Sequence, residues 1–261
     1  TQADNAKKFR ARLTAAGAAS VTTDEVTLTV IPALTLIYAF DAAPVNDQVL
    51  DTTPDSVKHH GVNVGATWVA SEGGRSGVMS FEGTLQNQIT IAPAPELNST
   101  RGTIAFWMKS LVVTADLDAY AMIFDRRDTG GVGGDVIYQD PDGFLANQAE
   151  GAGRSRVNEQ STTVDLTDGT WHHFAYVYDQ NVGGFVSFYV DGVLHTTEAS
   201  SGPWAWKADQ QIEIGESHDT FWSGYTGFHD EFRIYNRVLS AAEIAQLVGI
   251  VIEGPGPLTV A

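Results

Sequence analysis

The residues best suited to chemistry are aromatic side chains near the end of the chain. Trp204 and Trp206 lie in one polar stretch, 200–209, and Phe221, Trp222 and Tyr225 lie in another, 216–226, beside His218 and Asp219. Flat rings in loops stack on the apolar CH face of a sugar, and neighbouring Asp or His side chains bind its hydroxyls. Trp204, Trp206, Asp219, Phe221, Trp222 and Tyr225 are therefore the candidate carbohydrate-binding residues. The spacing Trp204-Ala205-Trp206 also suits rings that cover the open end of a β-sandwich. Asp140 and Asp142 offer two carboxylates to a cation, although Asp-Pro-Asp-Gly is first of all a turn. His59-His60 sits in a polar loop without a partner, and GxSxG, P-loop and HExxH motifs are absent. The absence of cysteine removes disulfides, zinc-thiolate sites and thiol nucleophiles together.

Such residues need a rigid frame, and Trp171 to Gly192 supplies its centre. In the first arm Trp171, His173, Ala175 and Val177 share one face, and His172, Phe174, Tyr176 and Tyr178 the other. In the second arm Phe185, Ser187 and Tyr189 alternate with Val186, Phe188 and Val190. Aromatic and β-branched residues fit a pleated surface, and Asp179 to Gly184 supplies the turn. Asp191-Gly192 is a type I′ turn signal, so Val193 to Thr197 is predicted to return as a third strand. Both faces are apolar, which predicts a position in the middle of a sheet within a sandwich.

Further strands are predicted at 34–41, 68–71, 78–81, 88–91, 103–109, 120–125, 134–138, 144–146 and 157–160. In 103–109, Ile104, Phe106 and Met108 make the buried face, with Trp107 opposite. Ser240-Ala241-Ala242-Glu243 is a capping box that opens a short helix to Leu247, with Ile244 and Leu247 inward.

Asp168-Gly169-Thr170-Trp171-His172-His173-Phe174, followed by Phe188-Tyr189-Val190-Asp191-Gly192, resembles the central signature of laminin-G-like, concanavalin A-like lectin/glucanase domains. Gly227 to Ser240, with Asp230-Glu231-Phe232-Arg233-Ile234-Tyr235 inside it, resembles the ending of that family, and the ordered pieces cover roughly 36–248. The resemblance implies an all-β, two-sheet antiparallel jelly roll with one short C-terminal helix. It also implies a structural calcium ion, held by Asp230, by Asp41 or its neighbours, and by carbonyls near Gly73 and Gly74. Asp230 could instead cap a turn or pair with Arg233.

Some members of this fold are hydrolases, and the β-glucanases among them carry E-x-D-x-x-E. The matching strand here is Glu213-Ile214-Gly215-Glu216, in which Gly215 replaces the central Asp and the second Glu falls on the opposite face. His172 and His173 stand where the family carries histidines without catalysis. The family position near Trp222 is often structural. No catalytic residue is therefore assigned.

The chain has 261 residues and a formal net charge of −17, from 15 Lys plus Arg against 32 Asp plus Glu. That balance disfavours nucleic acid, an anionic membrane surface and sulfated glycans, and no apolar run is long enough to span a bilayer. Three segments are expected: a β-hairpin at 1–32 resembling the last strands of an immunoglobulin-like domain, the main domain at 33–250, and a Gly/Pro linker tail at 251–261. The start, without methionine, reads as a piece of a longer chain. The reading is a non-catalytic glycan-binding or adhesion module of a larger secreted or surface protein of bacterial type. Its partners would be a glycan or surface glycoprotein and neighbouring domains. The alternatives are a spacer or protein-interaction module of the same fold, in which the loop tryptophans are buried, and a polysaccharide hydrolase or lyase.

Overall fold

The computed structural model describes residues 34–54, 57–84, 86–112, 119–128, 133–151 and 155–249, together with short paired segments between 8 and 27. The chain divides into two units, Thr1–Ala33 and Leu34–Ala261. In the first unit β1 (Lys8–Phe9) pairs antiparallel with β4 (Val26–Thr27), and β2 (Arg12–Leu13) pairs antiparallel with β3 (Val21–Thr22). The tail expected at 251–261 lies outside the described residues.

The second unit is two antiparallel sheets packed face to face, as the alternating apolar strands predict. The first sheet has eight strands. They are β5 (Leu34–Tyr38), β8 (Thr67–Glu72), β9 (Arg75–Glu82), β11 (Arg101–Ser110), β16 (His172–Asp179), β17 (Phe185–Val190), β18 (Val193–Ala199) and β21 (Thr226–Tyr235). Their order is β18-β17-β16-β11-β21-β9-β8, with β5 also paired to β21. The second sheet has nine. They are β6 (Gln48–Val49), β7 (Gly61–Val64), β10 (Gln88–Ile91), β12 (Ala121–Asp125), β13 (Val136–Gln139), β14 (Leu145–Glu150), β15 (Arg156–Ser161), β19 (Ile212–Ile214) and β20 (Ser223–Gly224). Their order is β15-β14-β13-β12-β19-β10-β7-β6, with β20 lying parallel to β12.

The predicted hairpin lies inside the eight-stranded sheet, with β16 beside the central β11 and β17 next to the edge strand β18. Phe174, Tyr176 and Phe188 point into the core, while Ala175 and Val177 face the other way. Asp191 and Gly192 have φ of 49° and 80°, the positive pair a type I′ turn requires. Gly73 and Gly74 make the same kind of turn between β8 and β9, with φ of 56° and 89°.

The inner faces meet in one aromatic core in which Phe106 stacks on Phe232 at 5.8 Å between centroids. Burying each such ring contributes roughly 1.5–3 kcal/mol. The outer face of the eight-stranded sheet is covered by helix α1 (Ala241–Leu247). Ser240 caps it in the predicted box with Glu243, and Ile244 is buried against Ala105, Ala175 and Val177. The outer face of the nine-stranded sheet has a small cluster of its own, where Met122, Val136, Tyr138 and Ala146 lie under Trp222.

Candidate functional site

One register shift decides what that second outer face displays. A β-bulge between Met122 and Phe124 leaves Met122 outside and turns both Ile123 and Phe124 into the core. The alternation beyond it is reversed. Arg126 reaches inward to the Leu97 carbonyl and lies near Trp206, while Arg127 lies over Trp222 at 5.0 Å on the outer face.

Arg127 is the hub of a buried polar knot. Its Nε and Nη2 donate to the two carboxylate oxygens of Asp125 at 3.2 and 3.1 Å, and Ser217 Oγ donates to the same carboxylate. On the neighbouring strand, Glu213 accepts from the backbone N–H of His218 at 2.8 Å and lies 2.8 Å from its Nδ1. Ser217 Oγ accepts from Asp219 N–H, and Asp219 Oδ1 from Phe221 N–H. Ser223 N–H then donates to the Tyr120 carbonyl. The loop carrying Phe221 and Trp222 is thus fixed at both ends to β12 and β19.

The rings on this loop build a surface together with two tyrosines. Tyr120 and Phe221 lie nearly parallel, 22° apart at 6.2 Å, and are 40 % and 68 % exposed. Tyr138 meets Tyr120 edge to face at 5.6 Å and lies 4.9 Å from Trp222. Beside them opens a cleft of about 360 Å³, lined by Tyr120, Tyr138, Asp140, Asp142, Glu159 and Ser161 among others. Asp140 Oδ1 holds the turn by accepting from the N–H groups of Asp142 and Phe144, each at 3.0 Å. Burial raises the pKa of Asp140, and the nearby Asp142 charge adds to this. Burial likewise raises the Tyr138 phenol, with the Glu159 charge adding to it.

The structure divides the expected sugar-binding set. Phe221 is exposed beside the cleft, and Asp219 positions it. Trp222 is buried and backs Tyr138 and Arg127 instead of facing solvent. Trp204, Trp206 and Tyr225 are corrected from loop platform to core. Trp204 and Trp206 pack edge to face at 4.9 Å over Tyr178 and Phe124, closing one end of the sandwich. Tyr225 is wedged against Phe81 and His229. The residues missed were Tyr120, Tyr138 and Glu159. The sequence carried no clear signal for Tyr138, because it shares with Val136 the apolar face opposite Asp135, Ile137 and Gln139 and so reads as a core ring.

Asp230, the first residue proposed for calcium, does not fit that ion. Asp230 is paired with Arg75, whose Nε lies 2.5 Å from its carboxylate, so a guanidinium already supplies the positive charge. The same guanidinium lies over Trp107 at 4.3 Å. Burial raises the Asp230 pKa to about 6. Asp41 and Gly74 are exposed, and Gly73 packs its Cα against the Trp171 indole. Among the described residues, one group of His, Asp or Glu ligand atoms converges within 4.8 Å: Asp125, Glu213 and His218. Arg127 already pairs with its Asp125.

Residues 82–245 match the sequence profile of the concanavalin A-like lectin/glucanases superfamily. No curated protein matches the chain. Several solved structures share the fold. The binding domain of Paraclostridial Mosquitocidal Protein 1 superposes with a TM-score of 0.66 at 15 % identity, over 83 % of this chain and 52 % of that one. Domain 4 of AbnA, a GH43 extracellular arabinanase from Geobacillus stearothermophilus solved with arabinotriose, superposes at 0.60 and 19 %, over 83 % and 98 %. The binding domain of botulinum neurotoxin DC, in complex with SialylT, superposes at 0.63 and 14 %, over 83 % and 51 %. This chain thus spans about half of the toxin binding domains it matches. With more than half of its length inside the family profile and both sheets in place, the chain belongs to the concanavalin A-like lectin/glucanase superfamily.

Proposed function

We propose that this chain is a non-catalytic glycan-binding module of a longer extracellular or cell-surface protein, and that it takes a sugar on the outer face of the nine-stranded sheet. The observation that carries this reading is the pair of exposed, nearly parallel rings of Tyr120 and Phe221 beside an acidic cleft. A pyranose laid on those rings places its hydroxyls within reach of carboxylates that accept hydrogen bonds. The arabinanase domain solved with arabinotriose and the toxin domain solved with SialylT support a glycan as ligand and a site of action outside the cell.

The test is titration of the chain with neutral oligosaccharides, with Phe221→Ala beside it. Losing one stacking ring is expected to weaken binding by about tenfold, on the order of 1.4 kcal/mol. Binding of no oligosaccharide, or binding indifferent to Phe221→Ala, would sink the reading in favour of a spacer.

One observation favours hydrolysis. Asp125 and Glu213 sit opposite each other on β12 and β19, with ligand atoms within 4.8 Å, near the ~5–5.5 Å of a retaining glycosidase pair. Both carboxylates are buried and already bonded, Asp125 to Arg127 and Ser217, Glu213 to His218 and Gln211. Neither is offered to a substrate. No turnover of plant or bacterial polysaccharides is expected, and reducing-sugar release abolished by Asp125→Asn would overturn that.

A further inference from the structure

The cleft has a charge as well as a shape, and the charge narrows the ligand. Asp140, Asp142 and Glu159 contribute carboxylates to one opening. The cation paired nearby is Arg156, whose Nη1 is already held by both Glu159 oxygens at 2.8 and 2.7 Å. Among the described residues neither Asp140 nor Asp142 has a cation paired with it, whereas Asp219, beside Phe221, lies 3.9 Å from Arg127 and is already partly compensated. The whole chain adds a field of the same sign, at −17. Tyr120 and Tyr138 line the cleft and Phe221 stands beside it against Tyr120, and the negative face of an aromatic ring attracts an ammonium group as well as a CH surface.

We propose that the cleft selects glycans bearing free amino groups and rejects sialylated, uronic and sulfated ones. This rests on the glycan-binding reading above. An ammonium at the sugar ring meets the Asp140–Asp142 turn and Glu159 while the ring lies on Tyr120 and Phe221. A carboxylate or sulfate in the same place meets only like charge, which suppresses the wrong partner.

The experiment compares three tetramers by calorimetry with the full chain, at mildly acidic pH where the amines are protonated and most carboxylates ionised. They are a glucosamine tetramer, its N-acetylated neutral counterpart and a galacturonate tetramer. The amino tetramer is expected to bind about tenfold tighter than the neutral one, and the acidic one not to bind. The gap closes near 1 M salt, where the screening length is ~3 Å. Asp142→Asn with Glu159→Gln erases the gap, so that the amino and neutral tetramers bind with the same affinity as each other. Phe221→Ala weakens both bound tetramers alike. If the gap is absent, or the acidic tetramer wins while Phe221→Ala still weakens binding, the charge inference falls and the glycan reading stands. If no tetramer responds to Phe221→Ala, the glycan reading falls and takes this one with it.

Discussion

Phe221 is 68 % exposed and Trp222 is 7 % exposed, so the same truncation has different outcomes at adjacent positions. Trp222→Ala opens a hole over Met122 and Tyr138 and removes the ring under Arg127. A loss of ~3–5 kcal/mol is expected, a fall in Tm on the order of 10 °C in a thermal melt. Phe221→Ala is expected to change stability by less than about 0.5 kcal/mol while lowering sugar affinity. Equal melting temperatures for the two variants would contradict this division. His229 gives a pH prediction at the same scale. It is enclosed by Phe81, Phe106 and Tyr225, and that burial pulls its pKa down to about 3. The unfolded chain protonates this histidine near ~6.5 while the native state resists, so its share of stability is whole above ~6.5 and is lost as pH falls. His229→Phe is expected to move the acid-unfolding midpoint, followed by near-UV circular dichroism, to lower pH. An unmoved midpoint would mean that other groups govern acid unfolding.

At the scale of elements, the loop at 216–222 depends on Arg127. Arg127→Ala leaves Asp125 buried without its cation, an expected cost of ~3–5 kcal/mol. Amide exchange across 216–223 should accelerate, and adding Asp125→Ala should return part of the stability. A double variant no more stable than Arg127→Ala alone would deny the coupling. The turns and the helix of this unit were readable beforehand because each depends on its own few residues. Asp191-Gly192 forces positive φ, and Ser240 and Glu243 satisfy each other's backbone. The bulge in β12 was hidden because it is a property of two strands in register, and nothing in Ala121 to Asp125 marks where the alternation slips. That slip sends Asp125 and Arg127 to the outer face, so the support of the candidate site was illegible where its parts were plain.

For the molecule as a whole, the order of strand motifs was enough to give a two-sheet sandwich, because each strand's apolar alternation points to a layer. Which loop rings were free was not, because Trp204 and Phe221 read alike until the sandwich closes over one and leaves the other outside. Arg75 carries a second global prediction. With its guanidinium on Asp230, chelation by EDTA is expected to leave Tm within about 1 °C, since no ion bound only by the native state would be removed. A drop reversed by added calcium would overturn it.

The covering of one sheet by α1 has a consequence for handling. β5 and α1 are the first and last described elements of this unit, and both lie on the eight-stranded layer. A surface attachment or fusion made at either element therefore grips the layer opposite Tyr120, Phe221 and the acidic cleft. A tether on that layer leaves the cleft on the opposite layer free for ligand, so avidity in a printed array could be tuned by printing density.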